Sequence, residues 1–240
     1  MAHRIVFGTT RIGVSHNGLA EVSASLQTMS RLAAAFAVSC MALCGAGHAA
    51  TLEVEVRDSA GAPVPDAAVY AMPATGPTEA RGKVVEIQQI DREFVPYLTV
   101  IQTGTTATFP NRDPILHHVY SFSPAKSFEI KLYSGRSPSE VTFDKPGVVT
   151  LGCNIHDWMI GYVLIVSTPH FARTDASGTA RLRDLPTGSY EVQAWHPRQR
   201  EAAPAQSLAL EAGATRSVAF RMDVAPRKVK YKPPLDRLKY

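Results

Sequence analysis

Cysteine is scarce in this chain: there are three in 240 residues, at Cys40, Cys44 and Cys153. That excludes a small scaffold stapled by several disulfides. No apolar run reaches the roughly 20 residues that a membrane-crossing helix needs. No segment repeats its apolar residues with the period of an amphipathic helix, which argues against a helical bundle. Neither charge sign dominates, with 25 Lys and Arg against 21 Asp and Glu. No phosphate loop, Ser-His-Asp set or paired-carboxylate pattern stands out, so hydrolytic and phosphoryl chemistry lack their usual groups. What is present is a series of short β-branched and aromatic runs cut by Gly, Pro, Asp and Ser, the pattern of an all-β protein.

The first fifty residues read differently from the rest. Arg31 precedes LAAAFAVSCMAL (32–43), followed by CGAGHAA (44–50). A positive charge, a short apolar stretch and a small-residue end make a secretory signal peptide over 1–50. Met29 is a natural start, so residues 1–28 read as an extension ahead of it. Lipidation of Cys40 or Cys44 is the rival reading, but neither has the usual small-residue approach. Cleavage near Ala49 or Ala50 leaves Cys153 as the one remaining cysteine, so an internal disulfide is impossible. The expected destination is the periplasm, with no transmembrane segment in the mature chain. A lone thiol exported to an oxidising compartment is best explained if it is buried or bound to a metal.

Removing Arg4, Arg11, Arg31 and Glu21 with the signal lowers the formal charge from +4 to about +2. The positive excess is then concentrated after Phe220, and the body is slightly acidic. A nucleic-acid partner is not indicated. The tail 223–240, VAPRKVKYKPPLDRLKY from Val224 onward, reads as a basic, flexible segment.

Between these ends the strands come in two groups. In 83–167 the runs KVVEIQQI, LTVIQTGTTATF, HHVYSFS, SFEIKLYS, EVTF, VVTLGC and MIGYVLIV are closely spaced, as in a Greek-key sandwich. DKPG (144–147) is a turn between them. Residues 51–75 and 171–222 carry a second strand–turn pattern, from VRDSAGAPVPDAAV to RTDASGTARLRDLPTGSYEV. This pattern resembles a carboxypeptidase-regulatory or transthyretin-like sandwich, whose opening hairpin lies here about a hundred residues early. The expectation is a small, discontinuous β-sandwich with the 83–167 domain inserted into it. The alternative is that the first hairpin belongs to the inserted domain.

Within VTLGCNIHDWMIGYVLIV (149–166), Cys153, His156 and Met159 sit three residues apart between two apolar runs. A loop joining adjacent strands can wrap all three donors around one point. The pair His117 and His118, at the start of another strand, supplies a further imidazole. Two imidazoles, a thiolate and a weak thioether are the trigonal donor set of a blue-copper site. A bland reading exists for each residue: a buried thiol, a core methionine and a polar strand start. A zinc site using both histidines is chemically possible, but successive strand side chains point to opposite faces. His170 and His196 read as structural.

These residues resemble the cupredoxin family. VTFDKPGVVTLGCNIHDWMIGYVLIV (141–166) is similar to the family's final strands and ligand loop, and the C-x2-H-x2-M spacing is that of its amicyanin-type members. NRDPILHHV (111–119) resembles the segment around the first histidine ligand. The chain also resembles bacterial exported proteins labelled methylamine-utilisation proteins. The resemblance implies a single type 1 copper held by His117, Cys153, His156 and Met159. It also implies His156 as the ligand nearest solvent, with Ile155, Trp158 and Ile160 as a docking rim. Two departures stand out. Ile155 replaces the usual Pro before the second histidine, and His118 replaces an Asn that ties the ligand loops. His118 and Asn154 are therefore candidates to support a ligand or stand in for one.

Gly152 and Asn154 flank the cysteine where a multicopper oxidase would place histidines, and a dinuclear centre needs a second cysteine. The expectation is thus no catalysis of its own. The reading is single-electron transfer between periplasmic redox proteins. The alternatives are copper storage or delivery with the same ligands, or an interaction module in which the copper is secondary.

Overall fold

The computed structural model of the chain describes residues 49–79 and 82–226. Residues 1–48 of the expected export signal 1–50, with Cys40 and Cys44, and residues 227–240 of the expected tail 223–240 lie outside the described residues. None of the described residues is helical, and no helix among them is long and apolar enough to cross a membrane. The chain is all-β, as its composition implied.

One sandwich is built on β1 (Ala50–Asp58), where every second side chain from Ala50 to Val56 is buried. The sequence supplies this directly, because Leu52, Val54 and Val56 alternate with Glu53, Glu55 and Arg57. β1 pairs antiparallel with β14 (Thr179–Leu185) and parallel with β17 (Thr215–Met222). After β1 the chain turns on Asp58, whose Oδ1 accepts the backbone N–H of Ala60 and Ala62 at 2.9 and 2.8 Å. The facing sheet centres on β2 (Ala68–Pro73), between β13 (Phe171–Arg173) and β15 (Gly188–Trp195), with β16 (Gln206–Leu210) outermost. Leu52, Val54, Val69, Leu182, Val192, Leu210 and Phe220 fill the space between. Strands from before and after the middle of the chain thus share one core, so this sandwich is discontinuous.

The other sandwich lies between them in sequence. Its larger sheet runs β6 (Leu98–Gln102), β12 (Ile160–Val166), β11 (Gly147–Gly152), β8 (His117–Ser123), β9 (Lys126–Tyr133). β6 and β12 are parallel and the other pairs antiparallel. Opposite stands a short sheet of β10 (Val141–Phe143), β7 (Thr105–Thr108) and β3 (Val84–Glu86). A hairpin of β4 (Gln88–Ile90) and β5 (Glu93–Val95) closes one end. Phe94, Phe109, Val119, Phe143, Leu151 and Val163 form the core, and Cys153 and Met159 belong to the same cluster.

Two sequence runs divide more finely than their hydrophobicity indicated. The run 83–90 breaks at Ile87, which is buried and donates its N–H to Thr108 O at 2.9 Å. β3 and β4 therefore enter different sheets. The run 98–109 turns at Gly104, whose φ of 85° suits glycine, so β6 and β7 also part. A seam joins the two sandwiches: Ala68, Leu98, Leu164 and Val166 are buried in it, with Tyr70, Tyr162, Phe171 and Trp195 around them.

Candidate metal centre

β11 and β12 end and begin in register, Gly152 opposite Ile160, so the residues between them form a hairpin loop. Cys153 and Met159 stand at its two stems, 4% and 0% exposed. The Met159 N–H donates to His156 O at 2.8 Å, which turns the loop back over itself. The strand before the cysteine ends in a glycine packed against an aromatic ring. A Cβ on Gly152 would lie 2.7 Å from the ring of Tyr120 on β8.

His117 is the first residue of β8, and its position is set by the loop before it. Asn111 is buried there; its Nδ2 donates to Ile115 O at 2.8 Å and Tyr133 O at 3.0 Å, and its Oδ1 accepts the Asp113 N–H at 2.9 Å. This Asx turn carries the Asp113 carboxylate to the far edge of the His117 ring. His117 Nε2 and Asp113 Oδ2 are 2.7 Å apart, with side chains 0% and 9% exposed. The same carboxylate accepts the N–H groups of Asp91 and Arg92 at 2.7 and 2.8 Å. Those two residues form the two-residue turn of the β4–β5 hairpin, at φ 53° and 58°.

With Nε2–H donated to a carboxylate, the other nitrogen of His117 faces inward as a bare donor. His117 Nδ1 lies 3.1 Å from His156 Nδ1, and Cys153 Sγ lies 4.0 and 3.8 Å from these two atoms. All three residues are buried, and they form a group able to hold a metal ion. A triangle with sides of 3.1, 3.8 and 4.0 Å has its centre about 2.1 Å from each corner, within the range of metal bonds to imidazole nitrogen and thiolate sulfur. The donors therefore fit one ion without rearrangement, and the thiolate with two imidazoles suits a soft first-row ion such as copper.

Burial above all, with the charges of His117 and Arg92, pushes the His156 pKa down to about 4. The ring is therefore neutral near pH 7 and ready to bind a metal without first losing a proton. Burial tends to raise the Asp113 pKa. The hydrogen bonds from His117, Arg92 and Asp91, together with the charge of His117, outweigh it and leave the carboxyl below its ordinary value.

His118 does not join this group. It points to the opposite face, with Nε2 2.9 Å from Glu129 Oε1 and its ring 5.6 Å from that of Tyr120. Alternation along β8 separates it from its neighbour. Asn154 is exposed at the loop surface. His156 has no exposed surface, so the expectation of a solvent-edge imidazole is not met. The half-buried Trp158 lies beside it at 5.2 Å. Ile155 is half-buried and Ile160 is 38% exposed. Next to them an open groove of about 420 Å³ is lined by Tyr120, Phe122, Gly152, Cys153, Met159 and Ile160. His196 is buried away from this site, its Nδ1 accepting the Arg198 N–H at 3.1 Å.

Asp113 and Asn111 were missed in the sequence, although N-x-D-P is a recognisable Asx-turn signal four residues before His117.

No family model matches the chain, and no curated protein matches it. Among solved structures, an amicyanin variant in reduced form is similar over 42% of this chain and 99% of its own, at 18% identity and a TM-score of 0.33. A purple cupredoxin from Nitrosopumilus maritimus is similar over 36% and 100%, at 23% identity and a TM-score of 0.31. A Cu-containing nitrite reductase from Thermus scotoductus SA-01 is similar over 40% of this chain, which spans 26% of that protein, at 22% identity and a TM-score of 0.34. Likenesses this distant assign no activity, and the chemistry of the site rests on its own donors.

Proposed function

We propose that this chain is an exported, mononuclear type 1 copper protein that carries single electrons between periplasmic redox partners and catalyses no reaction itself. The observation that supports it is the His117–Cys153–His156 triangle, whose centre lies at metal-bond distance from a thiolate and two imidazoles. Copper held there would supply a one-electron couple. Cys153 would supply a thiolate, His117 and His156 two imidazoles, and Met159, buried at the loop stem, a weak thioether donor. A fixed donor frame changes little between the two copper states, and a small reorganisation favours fast electron transfer. The frame is stiff because its residues sit in a packed core rather than on a free loop.

Electrons need a short way out. Ile155, Trp158 and Ile160 form the rim on the His156 side, and the Trp158 ring lies tilted against that ligand's ring. An apolar rim of this kind suits brief docking with a redox protein. The full burial of His156 and near-full burial of Cys153 favour a carrier over a copper-delivery protein, whose ion must leave readily.

The two readings separate in one experiment. Copper-loaded protein is placed against a mild chelator, and its electron self-exchange is measured by NMR line broadening. A carrier keeps its copper and exchanges electrons rapidly and reversibly. Quick surrender of copper, with slow or irreversible redox cycling, contradicts this assignment and supports delivery.

A further inference from the structure

The geometry points to Asp113 as a positioning residue that sets both the orientation of His117 and the reduction potential of a copper ion bound to it. This inference rests on the type 1 copper reading above and adds to it a specific determinant of the couple.

Three observations carry it. The first is where the carboxylate sits: its Oδ2 is 2.7 Å from His117 Nε2, across the ring from Nδ1, and both side chains are almost wholly buried. A hydrogen bond between a ligand histidine and a carboxylate fixes the tautomer and the ring plane, and raises the basicity of the coordinating nitrogen. The second is the chemistry of its other contacts. Oδ1 accepts the Asp91 N–H, while Oδ2 accepts the Arg92 N–H and faces His117 Nε2. Both oxygens are engaged, Oδ1 by one backbone N–H and Oδ2 by another and by the His117 ring. Two converging backbone N–H donors favour a carboxylate over a protonated acid or an amide, and a carboxylate accepts from Nε2–H. The third is how the group is held. The Asn111 turn and the paired left-handed residues Asp91 and Arg92 converge on it from two separate segments. An anion is thereby fixed one ring away from the metal position.

The consequence is electrostatic. A fixed negative charge in a poorly screened interior favours the more highly charged of two metal states. Reduction of Cu(II) to Cu(I) takes up one electron and no proton, and it lowers the charge that Asp113 faces. Asp113 should therefore strengthen Cu(II) binding more than Cu(I) binding and hold the potential down. A backbone carbonyl in the same place would orient the ring without this bias.

The test uses wild type, Asp113→Asn and Asp113→Glu. Cu(II) and Cu(I) affinities are measured by chelator competition and the potential by voltammetry. Asp113→Asn is expected to lose about 10–100-fold in Cu(II) affinity and less in Cu(I) affinity, so its potential rises. Each tenfold difference between the two losses corresponds to about 59 mV for one electron. Asp113→Glu, which keeps the charge, should stay nearer wild type in potential even where its affinity falls. In metal-free wild type, nitrogen-15 NMR should find the His117 proton on Nε2, a readout that needs neither copper nor a folded variant.

Equal losses for both copper states, with an unshifted potential, would overturn the inference while leaving a blue, redox-active wild type intact. A proton found on Nδ1 rather than Nε2 would overturn it as well. A wild type that takes up no copper would overturn the carrier reading and the potential-setting role together.

Discussion

At the centre of the sandwich built on β1 the buried positions are Leu52, Val54, Val56, Val69, Leu182, Val192 and Phe220; at the same depth in its neighbour lie Gln89, Asn111, His117, His156 and Cys153. Both are made from short alternating strands, and both are closed by turns of similar chemistry. They differ in what their interiors must satisfy. The first interior is mostly apolar, and its buried Thr174 and His196 bond to nearby backbone groups. The second needs partners for polar atoms, because a buried amide or imidazole without one costs on the order of a few kcal/mol. Gln89 Nε2 donates to Phe109 O and Tyr133 Oη at 3.0 and 2.6 Å and Asn111 bridges two carbonyls, which meets part of these costs. The donor triangle is the departure from a plain core that can hold a metal ion, and such departures concentrate where function is.

The contrast can be broken at several points. The largest effect is expected for Cys153→Ala, which removes the thiolate. Copper-loaded variant should lose its sulfur-to-metal absorption entirely, while metal-free stability changes by only about 1 kcal/mol. Visible spectra and denaturant unfolding check the two halves. Core truncations come next. Phe143→Ala, in the site's own sandwich, should cost about 3–5 kcal/mol, and Leu52→Ala, in the other, about 2–5 kcal/mol. The absorption spectrum should survive Leu52→Ala as long as the chain is folded. A spectrum altered by that distant change would mean that the two interiors are not separate.

Glycine positions sharpen the picture further. A Cβ on Gly161 would meet Phe94 Cβ at 2.7 Å, an atom tied to the backbone, whereas one on Gly152 meets the movable ring of Tyr120. Overpacking typically costs about 1–3 kcal/mol, and Gly161→Ala should fall nearer the top of that range than Gly152→Ala. Adding Tyr120→Leu should relieve Gly152→Ala in a double-mutant cycle. Acid probes the β1 sandwich through His196. Burial first, and the charge of Arg198 second, lower the His196 pKa from 6.5 to about 4. Between those values the unfolded chain binds a proton that the folded chain refuses. The contribution of His196 to stability is therefore complete above pH 6.5 and is lost as pH falls toward about 4. His196→Gln should flatten that part of the stability–pH curve. Copper loading should leave the His196 share of the slope in place, since this histidine belongs to the other sandwich.

Much of this organisation was legible in sequence because it is local. Cys153, His156 and Met159 lie within seven residues, so their spacing already describes a hairpin loop. Alternation separates His117 from His118 without any knowledge of the partner strands. The discontinuity of the β1 sandwich was legible through turn motifs that recur out of their usual order. Asp113 was not legible in the same way. Its role depends on N–H groups of Asp91 and Arg92, 22 and 21 residues away, which reach it only because β4 and β5 close into a tight hairpin. Nor does hydrophobicity reveal where a run of strand-forming residues leaves one sheet for another. The breaks at Ile87 and Gly104 follow from the closure of the sandwich. The covered edge of His156 is likewise a product of packing, through a Trp158 ring whose direction the sequence does not specify.

The most direct test is to load the purified mature protein with one equivalent of Cu(II) and record its visible absorption and EPR spectra. An intense blue sulfur-to-copper band, with the narrow parallel hyperfine splitting of a trigonal thiolate site, is the predicted result. A nearly colourless protein with the wide splitting of an ordinary tetragonal Cu(II) site would contradict it.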